Sequence, residues 1–135
     1  MVSGVPACSS FRVEGGELKP AGGVPVSDRG FRYGQHFFET IAVKGGRWGF
    51  YQEHLQILQR SGGAAGFVVR EEDWAVVEKA PEHPLFRGNP QEGVVRLFWT
   101  AGDGGPADPP GIGRIYFTVE HGEVGSVGGK LKLGV

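Results

Sequence analysis

The chain has 135 residues, a net charge of −1, and 39% hydrophobic and 11% aromatic residues. That is long enough for one domain with a core and too apolar for a disordered chain. No basic patch is visible, which argues against nucleic acid as a partner, and no segment approaches the ~20 apolar residues of a membrane helix.

The 25 glycines and 9 prolines lie between apolar runs and not in one tract. They therefore predict tight turns joining short strands. The single cysteine, Cys8, excludes an internal disulfide and a Cys-rich zinc site. The N-terminal MVSGVPACSS has neither a basic n-region nor an apolar h-region, so a cytoplasmic soluble protein is expected.

In chain order, Phe11-Arg12-Val13 alternates, Gly15-Gly16 turns and Glu17-Leu18 returns, predicting a small hairpin. Pro20 to Pro25 is a loop. Ser27 and Asp28 carry short oxygen-bearing side chains that bond nearby amides and turn the chain. His36 to Val43 is aromatic and β-branched and predicts a strand. Gly45-Gly46 turns it, and Arg47 to Phe50 runs back.

Gln52 to Ala65 is predicted helical, with Leu55, Ile57 and Leu58 at helical spacing and Glu53 in the first turn. Gly62, Gly63 and Gly66 weaken its end. Glu71 to Ala80 is a second helix, with Trp74 and Val77 facing inward and Val76 beside them. The mixed run Arg70-Glu71-Glu72-Asp73 predicts a solvated helix start, and Pro81 and Pro84 stop the helix.

Val94 to Thr100 is a strand, Gly111 to Glu120 contains another, and Leu131 to Val135 begins a third. The segment AGDGGPADPPG between the first two is expected to be a flexible loop. Strands, two helices and strands again make an α+β class, a mainly antiparallel sheet packed against two helices in a single domain, 1–135.

Local motifs for chemistry are sparse. Gly102-Asp103-Gly104-Gly105 lacks a following Gly-Lys-Ser/Thr and opens no helix, so it reads as a turn and not a phosphate cradle. His36, His54, His83 and His121 form no HxH or HxxxH pair, and no metal site is predicted. Ser27, Asp28 and His36 suggest a triad only superficially, since no G-x-S-x-G elbow accompanies them.

The order of several short motifs is more specific than any one of them. Asp28-Arg29-Gly30, Tyr33-Gly34 and Phe38-Glu39 precede a hairpin, and Glu53-His54-Leu55 with Leu58 follows it. This order resembles the N-terminal domain of class IV (fold-type IV) pyridoxal-phosphate enzymes. That family includes aminodeoxychorismate lyase, branched-chain aminotransferase and D-amino-acid aminotransferase. VVRLFWTAGDGG is similar to the family's strand ending in a Thr-Arg-Gly loop, so the resemblance runs from about Phe11 to the C-terminus.

The resemblance implies a small N-terminal domain, with the lysine-bearing C-terminal domain absent. It implies pyridoxal phosphate in the intact family member, an amino-acid-like small-molecule substrate and a homodimer. Phe38 and His36 would form the substrate-side wall, with Glu39 and His54 supporting them. No catalytic residue is expected here, and the chain alone is expected to hold no cofactor. The parent reaction would be aminodeoxychorismate lyase-like or amino-acid transamination.

Three departures follow. Lys19, Lys44, Lys79, Lys130 and Lys132 do not match the Schiff-base lysine, and Lys130 and Lys132 alternate with Leu131 and Leu133 as on the exposed face of a strand. The helix arginine that anchors cofactor phosphate aligns with Ile57, leaving Arg60, three residues on, as a weak substitute. Losing such a charged hydrogen bond costs about 1.5–3 kcal/mol. Ala101 and Pro106 replace two loop arginines, and Gln35-His36 replaces the common Asp-Gly. Two expectations remain: a piece of a longer enzyme, suggested by the strand-like end KLKLGV, or a complete non-catalytic dimerising or ligand-binding module.

Overall fold

A computed structural model describes residues 8–122. The predicted strand Leu131–Val135 and the readings of Lys130 and Lys132 lie outside them. The alternation seen in the sequence builds strands β1 (Cys8–Glu14), β2 (Glu17–Pro20), β3 (His36–Lys44), β4 (Arg47–Trp48), β5 (Glu92–Thr100) and β6 (Ile115–His121). Among the described residues they form one sheet, ordered β2-β1-β6-β5-β3-β4, and every pairing is antiparallel.

The register divides the side chains between two faces. Phe11, Phe117, Leu97 and Glu39 follow one another across β1, β6, β5 and β3 on one face. That face carries the core, with Ile41, Val43, Val95, Leu97, Phe117 and Val119 buried. The other face carries Arg12, Tyr116, Phe98 and Phe38 in one row.

Helix α2 (Tyr51–Ala64) and helix α3 (Glu71–Glu78) belong to the core face, where Leu55, Leu58, Trp74 and Val77 join the buried cluster. Ile57 does not join it and is 44% exposed. It shares helical spacing with the leucines, but the apolar stripe of α2 is narrow and ends at Leu58. The predicted α2 span holds within one residue at each end. Gly62 does more than weaken the helix: a Cβ there would overlap the ring of Trp99. Gly66, at φ 83°, follows the C-terminal end of α2.

Two other expectations are refined. Asp73 is buried and accepts a hydrogen bond from the Gly16 amide at 2.7 Å. The start of α3 is exposed at Arg70, Glu71 and Glu72, as expected, and only Asp73 ties it to the β1–β2 turn. A short helix, α1 (Arg29–Tyr33), follows the turn expected at Ser27 and Asp28, in a segment where no element was expected. Asp28 caps it, its carboxylate accepting from the Gly30 amide at 2.7 Å, and Gly34 ends it at φ 69°.

Candidate functional site

The Asp28-Arg29-Gly30 motif lies at the junction of α1 with the loop that follows β5. Asp28 is fully buried. Besides capping α1, its carboxylate accepts from the Thr100 hydroxyl at 2.8 Å and the Arg114 guanidinium at 2.9 Å. Arg29 is 1% exposed and forms no ion pair among the described residues. It donates instead to the carbonyls of Ala101 (2.8 Å), Gly102 (3.1 Å), Asp108 (3.0 Å) and Pro109 (3.1 Å). The planar guanidinium can reach acceptors on two sides at once.

This arrangement corrects the expectation of a flexible loop: residues 101–109 are clamped by one buried arginine. The glycines are part of the fit. A Cβ on Gly30 would lie 2.8 Å from the Asp28 carboxylate, and one on Gly104 2.9 Å from the Arg29 guanidinium carbon. Gly105 and Asp108 close a turn inside the loop, the Gly105 amide donating to the Asp108 carboxylate at 2.7 Å. Gly102 to Gly105 is not itself the turn: Asp103 bridges to Asp28, and the turn lies at Gly105 to Asp108.

At the rim, Arg114 donates to both Asp103 oxygens at 2.7 and 3.1 Å, and the Ser27 hydroxyl donates to Asp103 at 2.8 Å. Those hydrogen bonds, Arg114's foremost, pull the Asp103 carboxyl down to about 2. The same pairing raises Arg114 above the usual arginine range. Ser27 and Asp28 thus serve the turn and the loop lock, with His36 in neither network.

The predicted wall residues lie on the uncovered sheet face. Phe38 is half exposed and stacks on Phe98 with ring centroids 5.4 Å apart. His36 sits 6.1 Å from both rings. Glu39 and His54 meet each other at 2.7 Å through His54 Nδ1. They do so on the core face, so the pair braces β3 against α2 from behind the strand that carries Phe38 and His36.

Beside the wall opens a cavity of about 280 Å³. Its floor is the uncovered face of β1, β6 and β5, with Phe98, Tyr116 and Thr118. Its rim is Val24 from the loop after β2 and Phe31 from α1. Burial raises the Tyr116 hydroxyl above the ordinary tyrosine range. Sequence reasoning did not find these residues. The signal was present: Phe98-Trp99 and Tyr116-Phe117 put large apolar rings on both faces of adjacent strands. A sheet with only one covered face alternates apolar with polar.

Arg60 and Ile57 are both exposed on α2, on the other side of the sheet from this cavity's floor. Arg60 has no hydrogen bond or ion pair among the described residues. Lys44 and Lys79 are exposed, and Lys19 approaches Glu17 at 3.9 Å; none lines the cavity. No group of three or more His, Cys, Asp and Glu poised to hold a metal occurs among the described residues, and no described helix is long and apolar enough to cross a membrane.

No protein-family model matches the sequence, and no curated protein matches it. Solved structures do. The fold matches 4-amino-4-deoxychorismate lyase from Pseudomonas aeruginosa with a TM-score of 0.60 and 25% identity, over 84% of this chain and 39% of that one. It matches branched-chain amino acid aminotransferase from Escherichia coli with a TM-score of 0.67 and 20% identity, over 87% and 41%. This is the fold of the N-terminal domain of fold-type IV enzymes.

A hypothetical aminotransferase from Mycobacterium tuberculosis, solved in its PLP-bound form, matches with a TM-score of 0.65 and 22% identity, over 92% and 43%. The chain thus spans about two fifths of the length of these fold-type IV structures. The α+β class and the mainly antiparallel sheet expected from the sequence are those observed.

Proposed function

We propose that the chain is the small domain of a pyridoxal-phosphate-dependent class IV enzyme, aminodeoxychorismate lyase-like or an amino-acid transaminase. In this reading it supplies one wall of the site and not the reacting groups. The observation that carries the reading is the row Phe38, Phe98 and Tyr116 on a sheet face left uncovered by the described residues, with His36 beside Phe38. The stacked pair Phe38 and Phe98, with Phe38 half exposed, costs hydrophobic free energy unless something is placed against it.

The described residues do not fit the cofactor. A phosphate of roughly −1.5 to −2 charges requires a cation or a free helix N-terminus. Arg29 and Arg114 are fully engaged in the loop lock. The expected helix position is the exposed Ile57, and Arg60 stands on an open helix surface with nothing built around it. The cofactor and its lysine then belong to a second domain, together with the contacts for an amino-acid-like substrate, in a cytoplasmic homodimer.

The same missing cation favours a second reading, a non-catalytic ligand-binding module of this fold. The reading frame beyond Val135 separates the two. Continuation into a lysine-bearing domain is the expected result. A stop codon directly after Val135 would overturn the enzyme reading and leave the module.

A further inference from the structure

The cavity on the uncovered face has a property that its surroundings make unusual. Charged side chains are frequent on this surface, yet among the described residues no Lys, Arg, Asp or Glu lines it. The cations nearby in the fold are held elsewhere. Arg96 is paired with Glu120 at 2.6 Å, Arg12 with Glu14 at 3.2 Å, and Arg114 with Asp28 and Asp103. An anion entering the cavity would lose water and meet only cations already paired with carboxylates.

Polar groups are nevertheless present and free. The Tyr116 and Thr118 hydroxyls have no hydrogen-bond partner among the described residues and are open to water. His36 makes only ring contacts. The walls between these groups are the apolar surfaces of Val24, Phe31 and Phe98. At about 280 Å³, the space exceeds the ~150 Å³ that takes up benzene and lies just below the ~300 Å³ lower bound of drug-sized pockets.

We infer that this cavity is a binding site for an uncharged, ring-bearing small molecule with one hydroxyl or N–H group, of the size of a phenol or an indole. The ring packs on Phe98 between Val24 and Phe31, and its polar group meets Tyr116 or Thr118. A free carboxylate on the same ring weakens binding, because no lysine or arginine among the described residues lines the cavity. Binding requires no pyridoxal phosphate, so a failed titration leaves the proposed parentage standing.

The test is a titration of the ¹⁵N-labelled chain with p-cresol, indole and p-toluate, followed by amide chemical shifts. At about pH 8 the phenol of p-cresol stays protonated and p-toluate is ionised. Saturable shifts at Val24, Phe31, Phe98 and Tyr116 are expected with p-cresol and indole, with p-toluate at least about tenfold weaker. Absence of saturable shifts with both neutral probes, or p-toluate binding as tightly as p-cresol, would overturn the inference. Val24→Arg, at a rim position that is 43% exposed, puts a cation at the mouth. It should bring p-toluate affinity up by about tenfold; an unchanged ratio would refute the charge argument. Thr118→Phe should abolish p-cresol binding while the amide spectrum stays dispersed, and retained binding there would place the ligand elsewhere.

Discussion

Arg29 shows how one side chain can organise a loop. Its four carbonyl acceptors come from both ends of the 101–109 segment, and truncation would leave the buried carbonyls of Ala101 and Gly102 without this donor. Arg29→Ala should lower unfolding free energy by at least about 3 kcal/mol. Arg29→Lys should recover less than half of the loss, since an ammonium cannot span both ends. Urea denaturation of the two variants checks both. Asp103 gives a pH signature. Its carboxyl is held at about 2, against about 3.9 in an unfolded chain. Between those values the unfolded state binds more protons, so stability is full above about pH 4 and falls as pH drops toward 2. Asp103→Asn should flatten that part of the stability–pH curve. An unchanged slope would mean that the exposed Arg114 pair contributes nothing.

Helix α2 carries two adjacent glycines with opposite roles. Alanine improves helix propensity by about 1 kcal/mol at either. At Gly63 nothing lies within 4 Å of a new Cβ, so Gly63→Ala should stabilise by about 0.5–1 kcal/mol. At Gly62 the Cβ would enter the Trp99 ring, and overpacking of about 1–3 kcal/mol should make Gly62→Ala destabilising. Thermal melts of the pair should therefore move in opposite directions. The sequence shows both glycines as helix breakers, because propensity is local while the approach of Trp99 is not. For the same reason α2 and the β3–β4 hairpin were legible from periodicity and turn residues. The five-residue α1 was not, since it holds too few residues for a period and depends on the Asp28 cap. The pinned 101–109 loop was hidden too. Its composition is that of a flexible segment, and what fixes it is an arginine more than 70 residues away in sequence.

At the scale of the molecule, the sequence revealed the sheet and its helices but only half of the site. Phe38 and His36 were visible through the order of motifs. Phe98, Tyr116 and Thr118 became part of the wall only when β5 and β6 came together beside β3. The pair Glu39 and His54 lies behind that wall, on the core side. In the proposed function this chain supplies an aromatic wall and a neutral cavity, and the cofactor is held by residues outside it. Treating the purified chain with pyridoxal phosphate and borohydride, then measuring the mass, tests that division most directly. The unmodified mass is predicted; a stoichiometric pyridoxyl adduct on any of Lys19, Lys44, Lys79, Lys130 or Lys132 would contradict it.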